Sequence, residues 1–226
     1  MALRSYSQRS PIVTDFIRDF DEYLCLYEER QSERQTALAG YLFDLGREVK
    51  AGTKSWTEAD ISRIIQWKRL YPLWRRIKKD SAHLEEYLSD GLTQADGKDR
   101  MRAICGIPGF GPVLACALLT LTWPDLYGML DNSAWRALRL LEFDIPLRPY
   151  SGGGFSVTDA EQYQAIIRTL GRVRRKLPVQ VANALHAFGN TRNPSSNVPS
   201  QCVSLRASSF LVENVLGDHD SGGQDE

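Results

Sequence analysis

Apolar residues recur three and four positions apart along almost the whole chain, which is the period of a helix with one buried face. Ile12, Phe16, Phe20, Tyr23, Leu24 and Tyr27 mark a first helix. Leu38, Tyr41, Leu42, Leu45 and Val49 mark a second, stopped by Gly52. A third opens at Thr57, where the hydroxyl caps and Asp60 reaches back. It carries Ile61, Ile64, Ile65 and Leu70 inward until Pro72 ends or kinks it. Short helical runs follow at 83–88 and 100–105, then a very apolar helix at 113–121 broken by Trp123-Pro124. Helices at 133–141, from the box Thr158-Asp159-Ala160-Glu161 onward, and at 179–188 complete the pattern, with a Gly-rich loop at 151–154 between the first two. No stretch alternates with period two, so the fold class is all-α, a two-lobed helical bundle.

Composition changes at Asn190. Residues 1–189 read as one helical domain of two lobes. Residues 190–226 are rich in Ser, Asn and Pro and read as a largely disordered acidic tail, with a brief helix at 209–216. The 226 residues hold 28 basic and 28 acidic side chains. Taken whole, that zero disfavours a phosphate-rich partner, but it is a sum over two regions. The tail carries two basic and five acidic residues, leaving 26 basic against 23 acidic on the body. Two acid-free basic runs stand out: WKRLYPLWRRIKK from Trp67 and RTLGRVRRK from Arg168. Each alone reads as a solvated helix face; together, with interleaved aromatics, they suit a nucleic-acid backbone.

Other classes are disfavoured. The longest apolar stretch is far short of the ~20 residues a membrane helix needs, and the N-terminus lacks the apolar core of a secretory signal. No membrane partner is expected, and the location is intracellular, cytoplasmic (at the nucleoid in a bacterium). Cys25, Cys105, Cys116 and Cys202 are too far apart for zinc spacing and suggest no disulfide framework. No metal ligand set is expected.

The most specific segment is ICGIPGFGPVLA, residues 104–115. A short helix, a Pro-Gly-x-Gly turn and an apolar helix follow one another. Gly109 and Gly111 are read as residues whose backbone angles let the chain approach a partner closely. The N–H groups opening the second helix sit at its positive dipole end and suit a phosphate oxygen. This segment resembles the helix-hairpin-helix of DNA-binding and repair proteins. The resemblance extends to the helix-hairpin-helix DNA glycosylases, in which a Gly/Pro-rich loop and an aspartate follow the hairpin. Here the hairpin lies near 104–121, and Asp131 stands 22 positions after Gly109. The close likeness covers about 104–138.

The resemblance implies a monofunctional DNA glycosylase. It would excise a damaged or modified base flipped from double-stranded DNA, with Asp131 stabilising an oxocarbenium-like transition state. Gly109, Phe110, Gly111 and Val113 would hold the backbone, with Lys68 as a phosphate contact. Trp67, Trp123 and Tyr127 are candidates for the base pocket or wedge. The lysine that performs lyase chemistry in bifunctional members is replaced by Val113, so no lyase step is expected. The cysteines do not supply an iron–sulfur loop, so no cofactor is implied beyond a monovalent cation at the hairpin carbonyls. A monomer is the expected state.

Plainer readings accompany each assignment. Asp131 is placed to N-cap the next helix. Trp67 and Trp123 suit a core. Glu142, Asp144 and Asp159 suit loops and caps. His83, His186 and His219 have no partners at ligand spacing, and His186 reads as structural. A non-catalytic helix-hairpin-helix DNA-binding protein is the main alternative function, and a helical protein–protein adaptor the third.

Overall fold

A computed structural model describes residues 11–72, 77, 83–93, 97–141, 147–149 and 154–191. Ten helices and no strand occur among the described residues. In chain order they are α1 (Pro11–Arg18), α2 (Phe20–Glu29), α3 (Glu33–Lys50), α4 (Glu58–Trp67), α5 (Leu84–Thr93), α6 (Gly97–Gly106), α7 (Pro112–Thr122), α8 (Asn132–Leu140), α9 (Val157–Arg174) and α10 (Pro178–Thr191). None is long and apolar enough to cross a membrane.

The helices gather around two members. Every residue of α7 from Leu114 to Thr122 is buried, because α3, α4, α6 and α9 pack around it. An all-apolar helix has no solvent face to offer, so the other elements must enclose it. The second centre is α10, which packs on α2, α8 and α9. Phe188 of α10 meets Phe16 and Tyr23 edge-on, both at 5.2 Å between ring centroids. The described residues thus start and finish in the α10 group and build the α7 group in between, while α9 touches both. One continuous apolar core runs through the molecule.

Several expected boundaries move. The first helix is broken at Asp19, whose carboxylate is held by the neighbouring Arg18 at 2.6 Å. Tyr41, expected inside, is 46% exposed, and its hydroxyl bonds Asp60 while Arg63 covers its ring. The capping box of Thr57 and Asp60 forms as expected. However, α4 stops at Trp67, five residues before Pro72. The chain turns there at Arg69, which is left-handed at φ 56°, and the Leu70 N–H returns to Ile65 O. The proline is therefore not the stop signal. The box opening α9 is Ser156 with Asp159, two residues before the expected cap. Asn190 and Thr191 belong to α10 rather than to the tail. The expected loop at 151–154, apart from Gly154, lies outside the described residues. So do the expected helix at 209–216, the tail from residue 192, and Arg75, Arg76, Lys78 and Lys79 of the first basic run.

Candidate functional site

The expected hairpin region is α6, a turn from Ile107, and α7. Ile107 and Phe110 point inward at 6% and 7% exposure, and the Phe110 N–H bonds Ile107 O at 2.9 Å. These two side chains pin the turn to the core. The Phe110 ring is therefore not offered to a partner, and only its backbone remains for the expected DNA contact. Pro108 is exposed and Gly109 half-buried. Gly109 has φ +82°, where a side chain is strained, so glycine is required. Gly111 differs from expectation: at φ −123° it is extended, and a Cβ there would meet open space. It serves as the N-cap of α7, where no side chain caps the first turn. Pro112 brings no N–H, so the half-buried Val113 supplies the first donor at the positive end of the helix.

From α7 the chain runs through residues 123–131 and is strapped to α9. The Gln164 amide donates to Gly128 O at 2.7 Å and accepts from Gly128 N at 3.0 Å. The Tyr163 hydroxyl donates to Met129 O at 2.7 Å, and burial holds that hydroxyl well above its usual range. Both side chains are buried, so the strap is protected from water. Its free end is Asp131, which N-caps α8: Oδ1 accepts from Ala134 N at 2.8 Å.

The other carboxylate oxygen meets a residue not expected here. His186 Nδ1 lies 2.7 Å from Asp131 Oδ2. The His186 ring continues to Asn190, whose Nδ2 is 2.9 Å from Nε2, while Asn190 Oδ1 accepts from the Ser133 hydroxyl at 2.8 Å. With the Asn190 amide placed this way, Nε2 accepts, so Nδ1–H is the donor to Asp131. Turning the amide over would let Nε2–H donate, so the same residues also accommodate an imidazolium. Tyr27 stands edge-on to His186 at 5.5 Å, its hydroxyl raised first by burial and then by the Asp131 charge.

Lys68 completes the cluster. It follows the last residue of α4, with Nζ 5.1 Å from the Trp67 ring centroid. Burial lowers its ammonium, and the Asp131 charge pulls it back upward. Lys68 is thus half-buried in the field of Asp131 and is no freely exposed phosphate contact. Burial by itself would raise the Asp131 carboxyl. The His186 hydrogen bond and charge, the Lys68 ammonium and the Ala134 N–H together hold it below the usual carboxylate range. The result is an ionised carboxylate whose side chain is still 22% exposed.

The proposed aromatic residues have other engagements. Tyr127 is 1% exposed and belongs to the core, so its ring is not available as a wedge. Trp123 is half-buried, and the Arg100 guanidinium covers its ring at 4.5 Å, where a base would have to stack. Trp67 packs partly against the core and carries Lys68 on its ring. A cleft of about 460 Å³ lies beside the hairpin turn, lined by Tyr87, Gly91 and Ile107 among others, and Asp131 does not line it.

Sequence reasoning missed His186, Asn190, Ser133 and Tyr27 as companions of Asp131. One signal was available. His186 and Asn190 are polar residues four apart on an otherwise apolar helix, so they share a face. No group of three His, Cys, Asp or Glu side chains among the described residues is placed to hold a metal ion. Cys105 and Cys116 are pushed up to about 12 by burial, so their thiols stay protonated. Compared with protein-family models, curated proteins and solved structures, the chain finds no match.

Proposed function

We propose that the protein binds DNA and hydrolyses an N-glycosidic bond, with Asp131 as the carboxylate that faces the cationic transition state. The observation supporting this reading is the state of Asp131. It is ionised and partly open, and it sits at the end of a strapped loop that follows the α6–α7 hairpin. An oxocarbenium-like sugar needs a preorganised negative charge near its anomeric carbon, and a carboxylate already held by His186 and Ala134 would not have to reorganise. The hairpin supports backbone binding through the uncapped start of α7. His186 would orient Asp131, and Lys68 would keep it charged.

The test is an excision assay on duplexes carrying alkylated, oxidised, deaminated and hypermodified bases, followed by alkaline cleavage of abasic sites. Asp131→Asn should lose on the order of 10²–10⁴ in single-turnover rate while keeping DNA affinity. An inactive wild-type protein across the panel, or a fully active variant, would sink the proposal.

One observation favours the second reading, a DNA-binding protein without chemistry. Both Asp131 oxygens already have partners within the fold, and neither the 460 Å³ cleft nor the larger one described below is lined by Asp131. Salt-sensitive duplex binding, unaffected by Asp131→Asn and unaccompanied by excision, would select it.

A further inference from the structure

A second cleft lies at the corner between the end of α9 and the start of α10. Its volume is about 590 Å³, and it is lined by Arg168, Arg172, Arg175, Lys176, Asp125 and Leu126 among others. Arg168, Arg172 and Arg175 stand at i, i+4 and i+7, so they share one face of the chain as it leaves α9. Like charges at that spacing destabilise an isolated helix, and none of the three has an ion-pair partner among the described residues. The acid at the rim, Asp125, is 3.5 Å from Lys50 Nζ, and Lys176 is paired with Asp21 at 2.8 Å. Among the described residues the three arginines are therefore left without an ion-pair partner.

The backbone reinforces it. Arg175 adopts a left-handed conformation, φ 53° and ψ 45°, which turns the chain so that α10 starts beside the arginines. Pro178, the first residue of α10, lines the cleft, so the positive end of that helix dipole opens into it. Three guanidiniums with planar, forked donors and one helix terminus form a receptor for phosphate oxygens.

We propose that this cleft binds backbone phosphates of the same DNA on which Asp131 acts, a second contact distinct from the hairpin; this rests on the reading given above. Leu126 at the cleft and Asp131 are five residues apart on the strapped loop. The Leu126 rim of the cleft is therefore at most roughly 18 Å from Asp131 along extended chain, about five phosphate steps along one strand.

The experiment measures fluorescence anisotropy of a labelled duplex against salt concentration for three full-length proteins. These are the wild type, the triple variant Arg168→Gln/Arg172→Gln/Arg175→Asn, and the control Arg30→Gln/Arg34→Gln. Asn at 175 tolerates the left-handed backbone, and thermal unfolding confirms that each protein folds. The slope of log affinity against log salt should shrink by about 2 to 3 in the triple variant, close to one for each lost phosphate contact. It should be unchanged in the control. A triple variant with the wild-type slope, or a control that loses as much, overturns the second contact while leaving DNA binding intact. A wild type that binds no duplex overturns the function proposed above and this inference with it. Calorimetric titration with inorganic phosphate separates the sources: binding of free phosphate by a wild type that ignores duplex DNA would make the cleft a small-anion site and reject the backbone assignment.

Discussion

Two aspartates at helix N-termini do different things in this molecule. Asp159 is 5% exposed in its side chain and receives donors from every direction: the Ser156 N–H at 2.6 Å, the Ser156 hydroxyl at 2.7 Å and the Arg148 guanidinium at both oxygens. Arg148 in turn donates to Gly154 O, and its own carbonyl accepts from Trp135 Nε1 at 3.0 Å. This clasp closes the connection between α8 and α9. Asp131 is 22% exposed and has one partner on each oxygen. A carboxylate has about four lone-pair positions. Asp159 is saturated, whereas Asp131 keeps acceptor capacity and a solvent-facing edge, with the His186 ring and the Lys68 ammonium beside it. The difference teaches that the residue type and the capping role are not diagnostic. What separates a clasp from a candidate reaction centre is unused acceptor capacity.

The largest effect expected from testing this contrast comes from a residue that touches neither carboxylate. Gly189 of α10 lies so close to α8 that a Cβ there would sit 2.0 Å from Ser133 O. Gly189→Ala must push the two helices apart, and with them His186 from Asp131, at a cost of about 3 kcal/mol. Chemical denaturation measures this, and a loss under 1 kcal/mol would mean the helices can shift without penalty. Gly111→Ala in the hairpin meets open space and should cost well under that.

Next in size is the clasp. Arg148 first, with Ser156, holds the Asp159 carboxyl at about 2, below the ordinary 3.8. Between those values the unfolded chain binds a proton that the folded chain does not. The Asp159 contribution is therefore complete above about pH 4 and is lost as pH falls toward 2. Asp159→Asn should cost about 1–2 kcal/mol at neutral pH through the cap and the half-exposed Arg148 pair. It should also flatten stability against pH across that acid window. An unchanged acid limb in the variant would assign it to other carboxylates.

How far each aspartate was legible in the sequence follows from the range of its contacts. The Thr57–Asp60 box, the α7 helix and its break at Trp123-Pro124 rest on neighbours within four residues, and they were read correctly. Asp131 itself was found through its spacing from Gly109, a local motif. Its partners were not, because His186 is 55 positions away and Lys68, just past the end of α4, is remote in sequence too; only the packing of α10 on α8, which Gly189 permits, brings His186 to the carboxylate. The aromatic residues illustrate the opposite case. Trp123 and Tyr127 have the right chemistry for a base, but Tyr127 is taken up by the core and the half-buried Trp123 ring by Arg100. Arg69 shows a third limit: a left-handed turn at a non-glycine leaves no mark in composition, so the end of α4 was placed at the proline instead.

The smallest effect decides most. Asn caps a helix as well as Asp does, so Asp131→Asn keeps the bond to Ala134 N–H. It gives up a charge that burial opposes, together with the attraction of His186 and Lys68 that compensates for it. Those opposing contributions should nearly cancel, leaving a stability change under about 1 kcal/mol. The clasp variant Asp159→Asn should lose more, because its four donor groups converge on the charge. Thermal and denaturant unfolding of the two variants side by side is the measurement. If Asp131→Asn destabilises the protein as much as Asp159→Asn does, then Asp131 is a second clasp, its contacts serve the joint between α8 and α10, and the case for chemistry at that carboxylate falls. If the fold is indifferent to the charge, the cluster that keeps Asp131 ionised is not explained by stability, and the excision assay on Asp131→Asn becomes the deciding measurement.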